Sequence, residues 1–323
     1  MGNWKIATAT AAALICATST ALAQSYPTRP IQFVIGFSPG GPSDVMARII
    51  TKRMSEIIGQ RMPVDNRPGA AGAIAAQYVA RAAPDGYTVM LGTNAALVIN
   101  PNLQKNLGYD PIKDFGYVTM IGQQPDVLYV HPSVPAKTFK EFLELAKAQP
   151  GKIAYGSGGN GTPAHISGEF LKKRANIDLQ HVPFKGTGPS LQNVVAGQIQ
   201  SAFNPPAPLV PYIKNGTIRP LAVTSLKRSG ALSDVPTIAE HGFPGFDTKN
   251  WHCLVVPANT PKPIMDALRK ALHETLQDPE VKTQLSDLGV DLTPGTSEEM
   301  VEVVKRELPM WAEIIKETGV RIE

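Results

Sequence analysis

The chain has 323 residues, of which 43% are hydrophobic and 18% charged; this composition supports one large or two medium globular domains with a buried core. Its formal net charge of +4 is small and no basic block is interleaved with aromatic residues, so we expect no nucleic-acid partner. The two cysteines form no cluster with histidines, and neither a P-loop motif G-x-x-x-x-G-K-[ST] nor an H-E-x-x-H motif occurs. We therefore expect no metal site and no cofactor.

The N-terminal segment has the pattern of an export signal. A lysine precedes a weakly apolar, acid-free stretch, and ALAQ places Ala21 and Ala23 at the two positions that signal cleavage requires. The sequence therefore predicts a signal peptide over residues 1–23, cleaved after Ala23; a buried N-terminal helix is the alternative. Cleavage removes Cys16 and leaves Cys253 as the single thiol, so we expect no intrachain disulfide.

The mature region begins with alternating strands and helices. PIQFVIGF predicts a strand, SDVMARIITKRMSEIIG a helix, MPVDNRP a short strand, AAGAIAAQYVARAAP a helix and YTVMLGT a strand. This order predicts a parallel sheet covered by helices. The first helix places these apolar residues near one face: Val45, Ile49, Met54 and Ile57.

A similar alternation restarts at KIAYGSG, followed by a helix over 163–174, the strand LQHVPF, a helix near 190–196, and the strands IQSAFN and IRPLAVTS. Two such runs predict an α/β fold of two domains, residues 24–126 with 253–323 and residues 127–252. The predicted crossings between them are QQPDVLYVHPS and NWHCLVVPAN, and two charged helices close the chain. A cleft between two lobes is a usual place for a small ligand.

The first strand ends in the loop FSPGGPSD. Gly40 and Gly41 let a ligand approach the backbone, and Pro42 is favoured at the first helical position. We expect free N–H groups at Ser43, Asp44 and Val45, at the positive end of the helix, where anions bind. A carboxylate that touched an anion would repel it, so we expect the Asp44 side chain to point away from the ligand.

Two loops in the second half repeat this pattern. GSGGNGTPAH supplies Thr162 as a helix cap and Pro163 at the first helical position. FKGTGPS supplies Lys185, a glycine turn, and Pro189 in the same role as Pro163. Each loop alone is equally consistent with a tight turn, but three together favour an anion site. His165, in the first turn of its helix, is either a cleft residue or a packed histidine.

Ser38 raises a catalytic hypothesis. GFSPG matches the nucleophile-elbow pattern and lies between a strand and a helix, so an exported serine hydrolase is an alternative function. However, Pro39 has no N–H for an oxyanion hole, and the six histidines are scattered without a marked partner. We expect no catalytic residue and no enzymatic activity.

Several segments together resemble one known family. YPTRPIQFVIGFSPGGPSDVMAR, VDNRPGAAGAIAAQYVARAAPDGYTVMLGT, PGKIAYGSGGNGTPAHISGEFL and HVPFKGTGPSLQNVVAGQI are similar to the substrate-binding proteins of tripartite tricarboxylate transporters, the Bug or TctC-like family. The resemblance covers essentially the whole mature chain in order. It implies a periplasmic, two-lobed receptor of the type II binding-protein kind.

The resemblance also implies a function. Such a receptor closes on a small carboxylate and passes it to the permease subunits of a membrane transporter; we expect it to be a monomer. An alternative function with the same fold is a receptor that presents its bound ligand to a sensor protein. In this family the acid group of the ligand is held between the first strand-to-helix loop and the glycine loop of the second lobe, with a third loop as a wall. These contacts correspond to Phe37, Ser38, Pro39, Gly40 and Gly41, to Ser157, Gly158, Gly159, Asn160 and Thr162, and to Thr93, Asn94 and Ala95. From its place in the first helical turn, we also count His165 among the candidate contacts.

One position departs from the family pattern. Many members carry an aspartate after the phenylalanine of the strand that matches SAFN, whereas this chain has Asn204 followed by two prolines. An acid there could hold an ammonium group, and asparagine removes that charge. We therefore expect Asn204 to contact a dicarboxylate, aliphatic or aromatic such as terephthalate, rather than an amino acid.

Overall fold

The computed structural model describes residues 26–320. The predicted signal peptide and its cleavage site lie outside the described residues. Within residues 26–320, no helix is both long and apolar enough to cross a membrane. The fold is mixed α/β with two sheets, and it forms two lobes.

The first lobe takes its elements from both ends of the chain. They are β1 (Gln32–Ile35), α1 (Pro42–Ile58), β2 (Val64–Asn66), α2 (Ala73–Ala80), β3 (Thr88–Thr93), a π-helical turn (Ala95–Ile99), α3 (Asn100–Leu103) and β4 (Phe115–Gln124). After the second lobe, the chain returns with the elements β10 (Asn250–Pro257), α8 (Lys262–Gln277), α9 (Pro279–Asp287), β11 (Asp291–Leu292) and α10 (Ser297–Thr318).

The second lobe is formed by the middle of the chain. Its elements are β5 (Val127–Val130), α4 (Phe139–Ala148), β6 (Ala154–Ser157), α5 (Pro163–Ala175), β7 (Gln180–Pro183), α6 (Thr187–Val195), β8 (Ser201–Asn204), α7 (Val210–Lys214) and β9 (Arg219–Val223).

Both sheets are mixed, whereas the sequence predicted parallel ones. The six-stranded sheet has the order β11-β4-β10-β3-β1-β2, in which β1 runs parallel to β2 and β3 while β10 runs against both of its neighbours. The five-stranded sheet has the order β7-β6-β8-β5-β9, in which β5 runs against β8 and β9. Strands β5 and β10 lie within the two predicted crossings, and each runs antiparallel to both of its neighbours.

The two crossings bring the carboxyl ends of the parallel strands together. In the first sheet, Asn250 of β10 pairs with Gln124 at the end of β4, and His252 pairs with Thr93 at the end of β3. In the second sheet, Val127 at the start of β5 pairs with Asn204 at the end of β8. Loops that follow β1, β3, β6 and β8 therefore lie between the lobes, at the edges where α/β proteins bind ligands.

Of the four apolar residues that the sequence places near one face of helix α1, only Met54 is buried. Val45 is 37% exposed. The buried residues are Asp44, Met46, Ala47, Ile50, Thr51 and Met54. Asp44 is buried with these residues, and its carboxylate accepts a hydrogen bond from the N–H of Gly40 in the preceding loop.

Helix α10 and strand β10 connect the lobes. The helix packs against β4 of the first lobe and α5 of the second, and Arg174 of α5 forms an ion pair with Glu317 at 3.0 Å. The indole N–H of Trp251 donates to Glu307 at 2.7 Å. Strand β10 begins at Asn250, slightly before the domain boundary predicted after residue 252; the division into domains remains a prediction.

Candidate ligand site between the lobes

The first glycine loop is shaped by a buried carboxylate. Asp44 accepts hydrogen bonds from the N–H of Gly40 at 2.9 Å, from Nδ2 of Asn66 at 2.9 Å and from Nε of Arg48 at 2.8 Å. The same Asn66 nitrogen donates to the carbonyl oxygen of Phe37 at 3.0 Å. Bonding to Arg48 lowers the pKa of Asp44 to about 2. The carboxylate of Asp44 is therefore bonded to groups of the protein, which agrees with the prediction that its side chain points away from the ligand.

The N–H groups of this loop differ in part from those predicted. Pro42 begins α1 as expected, but the N–H groups of Asp44 and Val45 both donate to the carbonyl oxygen of Gly41 at 3.0 Å. The prediction that they are free is wrong, because the helix turn already closes at Gly41. In the described chain, the N–H groups of Ser38 and Ser43 have no protein acceptor.

The wall beside this loop is built around Gly72, which has φ +93°. A Cβ atom added there would lie 3.3 Å from the Cβ of Ala96 and 3.9 Å from both the Phe37 ring and Oγ1 of Thr93. These three side chains therefore converge on the glycine. Phe37 is partly exposed and Thr93 is buried.

Asn94 fixes this wall to the return crossing. Its Oδ1 accepts from the N–H of Ala95 at 3.0 Å, and its Nδ2 donates to the carbonyl oxygen of Lys249 at 2.7 Å. Asn94 and Ala95 are 1% and 2% exposed. Their polar groups are used within the protein, so this segment supports the wall from behind.

The second glycine loop, between β6 and α5, is closed by hydroxyl groups. Oγ1 of Thr162 donates to the carbonyl oxygen of Gly159 at 2.7 Å and accepts from the N–H of His165 at 3.4 Å. Oγ of the buried Ser157 accepts from the N–H of Gly159 at 3.2 Å. Thr162 caps α5 and Pro163 is its first residue, as predicted. In the described residues, the N–H groups of Gly158 and Asn160 have no protein acceptor.

His165 points into the protein. It is 7% exposed, its Nδ1 accepts from the N–H of Gly161 at 3.2 Å, and its ring stacks on that of His181 with centroids 4.0 Å apart. Burial lowers the pKa of His165 to about 4 and that of His181 to about 3. The sequence offered no sign that His181, on a different strand, would lie beneath this loop.

The third glycine loop packs against the second. The N–H of Gly186 donates to the carbonyl oxygen of Gly158 at 3.1 Å. Helix α6 begins at Thr187, so Pro189 is its third residue. The prediction that Pro189 is the first residue of this helix is wrong. Gly186 with φ +106° supplies the sharp entry into the helix.

Asn204 is fully buried at the end of β8. Its Nδ2 donates to the hydroxyl of Tyr129 at 2.7 Å and lies 3.4 Å from Oγ of Ser190. Its Oδ1 has no partner among the described residues. The sequence did not predict the two partners of Asn204 in this network, which are Tyr129 and Ser190.

The predicted contact residues therefore fall into two groups. Those that solvent reaches are Phe37, Ser38, Pro39, Gly40, Gly41, Gly158, Gly159, Asn160 and Thr162; those that are buried are Thr93, Asn94, Ala95, Ser157, His165 and Asn204. The exposed group is backbone-rich and contains three of the four free N–H groups, those of Ser38, Gly158 and Asn160; the fourth, that of Ser43, was not among the predicted contacts. Within residues 26–320, no group of three or more histidine, cysteine or acidic side chains could hold a metal ion.

Two open depressions of about 510 and 500 Å³ lie elsewhere on the surface. One is lined by Tyr78 and Arg81 of the first lobe and the other by Phe139 and Pro236 of the second. Neither is lined by the glycine loops. We place the candidate site at the first and second glycine loops because they combine the carboxyl edges of two sheets with free N–H groups, which suit an anion.

The sequence matches the family described as the tripartite tricarboxylate transporter family receptor over residues 46–320. Protein BugT of Bordetella pertussis is 31% identical over 302 residues, which are 93% of this chain and 93% of that protein. A structure of an R. palustris protein with adipate is 34% identical, with a TM-score of 0.86 over 92% of this chain and 99% of that one. MatC from Rhodopseudomonas palustris with bound malate is 32% identical, with a TM-score of 0.82 over 90% of this chain and 100% of that one.

Proposed function

The chain belongs to the tripartite tricarboxylate transporter receptor family, and we propose that it binds a small dicarboxylate between its glycine loops and delivers it to the permease subunits of such a transporter. Membership of a receptor family agrees with the expectation that the chain is not an enzyme. At the Ser38 position the structure places an exposed hydroxyl beside Pro39, which cannot donate to an oxyanion.

The observation that carries the proposal is the pair of loops with free N–H groups. Ser38 and Ser43 lie in the first lobe, Gly158 and Asn160 in the second, and both loops follow strands whose carboxyl ends face the crossings. Backbone N–H groups at the start of a long helix favour a carboxylate through both hydrogen bonding and the helix dipole. A ligand that bridges the lobes favours the closed state.

The charges at the loops favour a dicarboxylate over an amino acid. Asp44, the acid nearest the first loop in sequence, is neutralised by Arg48 and bonded to Gly40 and Asn66, so it offers no free partner to an ammonium group. Asn204 carries no charge. The relatives bound to adipate and to malate hold ligands with two acid groups, which supports this substrate class.

Adipate and 1,6-hexanediol test the proposal as a matched pair. They share a six-carbon chain, but only adipate carries carboxylates. We expect adipate to bind in calorimetry and to raise the melting temperature, since a ligand at 100 times its Kd adds about 2.7 kcal/mol. Malate and terephthalate extend the series. Equal stabilisation by hexanediol, or no binding of any of the three dicarboxylates, would overturn the proposal.

We also propose that the chain is exported to the periplasm and cleaved after Ala23, because ALAQ supplies the cleavage pattern. The intact mass of the protein from a periplasmic extract tests this directly. A mature protein whose mass includes Met1 would be inconsistent with it.

A further inference from the structure

Two neutral imidazoles lie beneath the second glycine loop. Nδ1 of His165 accepts the N–H of Gly161 at 3.2 Å; a backbone N–H can only donate, so Nδ1 carries no proton and Nε2 carries it. The His165 ring is inclined by 13° to the ring of His181. Nε2 of His181 lies 2.7 Å from Oγ of Ser157. Both rings therefore contact residues that shape the loop.

The surroundings keep these rings uncharged. Burial lowers both pKa values, and Lys172 acts in the same direction on each, while Glu169 opposes it at His165. Lys172 and Glu169 pair with each other at 3.0 Å. Tyr155 packs against His181 with centroids 4.9 Å apart, and its hydroxyl donates to Glu169 at 2.7 Å. His165 is therefore neutral, and able to accept, at neutral pH.

The loop above needs such a partner. Gly159 has φ +130° and Gly161 has φ +75°, conformations that glycine adopts easily but leaves as easily. A loop with two such residues loses much conformational entropy when it is fixed. A hydrogen bond from a buried, stacked ring fixes it before the ligand arrives, which reduces the cost of binding.

We propose that His165 is a positioning residue: its unprotonated Nδ1 holds the N–H of Gly161 inward and so leaves the N–H groups of Gly158 and Asn160 turned toward the ligand. This inference rests on the proposed function of the loop. It assigns to His165 a role behind the loop and not a contact with the ligand.

Two variants separate the acceptor from the ring. His165→Phe keeps a ring that can stack on His181 but removes the acceptor, whereas His165→Asn places Oδ1 near the position of Nδ1 and removes the ring. We expect His165→Phe to bind adipate about tenfold more weakly, the cost of about one hydrogen bond, and His165→Asn to recover most of that loss. A role in packing alone predicts the opposite order, which would overturn the proposal.

Hydrogen exchange of the Gly161 amide gives a test that needs no ligand. We expect protection in the wild type and in His165→Asn, and about tenfold faster exchange in His165→Phe. Equal exchange in the wild type and His165→Phe would overturn the inference. A wild type that binds no dicarboxylate would overturn the proposed function instead, and the exchange rates would still decide whether His165 holds the loop.

Discussion

Asp44 is the residue on which the first glycine loop depends. It is 3% exposed, yet it remains charged because Arg48, Asn66 and the N–H of Gly40 all donate to it. A buried carboxylate is stable only when it is bonded in this way. Its partners on the loop side, Gly40 and Asn66, tie the start of α1 to the end of β1 and to β2.

We expect Asp44→Asn to lower the free energy of unfolding by about 1.5–3 kcal/mol at neutral pH, because one hydrogen-bond acceptor becomes a donor that faces other donors. The pKa of Asp44 is depressed from 3.8 to about 2, so its contribution is present above the unfolded pKa and is lost as pH falls through the folded pKa. The difference between wild type and variant should therefore shrink between about pH 4 and pH 2. Urea unfolding across this pH range measures it.

Arg48→Ala is the control for this experiment. The Arg48 side chain is 57% exposed, so its removal should cost less than the loss of the Asp44 charge, because water screens the exposed pair. An Arg48→Ala variant that is as unstable as Asp44→Asn would mean that the ion pair, and not the bonds to the loop, is the stabilising contact.

At the scale of elements, the sequence predicted well where the local pattern was strong. α1 and α5 lie within about two residues of their predicted limits, because Pro42 and the pair Thr162 and Pro163 mark where they begin. The antiparallel direction of β10 could not be predicted, since strand direction is set by the crossing between lobes and leaves no local signal.

The candidate site was predictable in its backbone and not in its side chains. Glycine and proline spacing indicated the loops at 37–41 and 157–162, because those residues directly constrain the backbone. The inward turn of His165 depends on His181, which is 16 positions away in sequence and reaches the loop only through the pairing of β6 with β7. No local pattern encodes such a contact.

The glycines offer a test of each loop as an element. Gly41 and Gly158 have ordinary φ values, and an added Cβ would meet its neighbours at 3.5 Å and 3.7 Å, which is normal contact. We expect Gly41→Val and Gly158→Val to fold but to bind adipate roughly ten- to hundredfold more weakly, because branched side chains obstruct approach to the adjacent N–H groups. Calorimetry measures the affinity and circular dichroism the fold.

Gly188→Val is the matched control, since its Cβ would meet nothing within 4 Å and its φ is also ordinary. It should bind as the wild type does. Gly159 is unsuitable for this purpose because its φ of +130° would strain any side chain. Wild-type affinity in either Gly41→Val or Gly158→Val would remove that loop from the proposed site.

At the scale of the whole molecule, the seam between the lobes contains buried polar atoms without protein partners. Among the described residues these are Oδ2 of Asp126, Nδ2 of Asn250, Nδ1 of His252 and Oδ1 of Asn204. Pairing within the sheets places Asn250, His252 and Asn204 at the two crossings, and Asp126 directly precedes β5. A seam that is incompletely bonded is easier to open than a core, which suits a molecule whose lobes must separate and close.

The buried carboxyl group of Asp126 makes the stability of the protein depend on pH. Burial raises the pKa of Asp126 from 3.8 to about 7, against an opposing contribution from the Asn250 side chain. Between these two pH values the folded protein therefore holds a proton that the unfolded chain releases. Stability from this group is therefore greatest at low pH and decreases as pH rises from about 4 to 7. Asp126→Asn keeps the shape of the side chain and cannot ionise. We expect the variant to melt several degrees above the wild type at pH 8 and close to it at pH 4, with intermediate differences between, as measured by thermal unfolding in matched buffers. A constant difference across this range would contradict the prediction, because it would mean that Asp126 has the same proton affinity in the folded and unfolded chains.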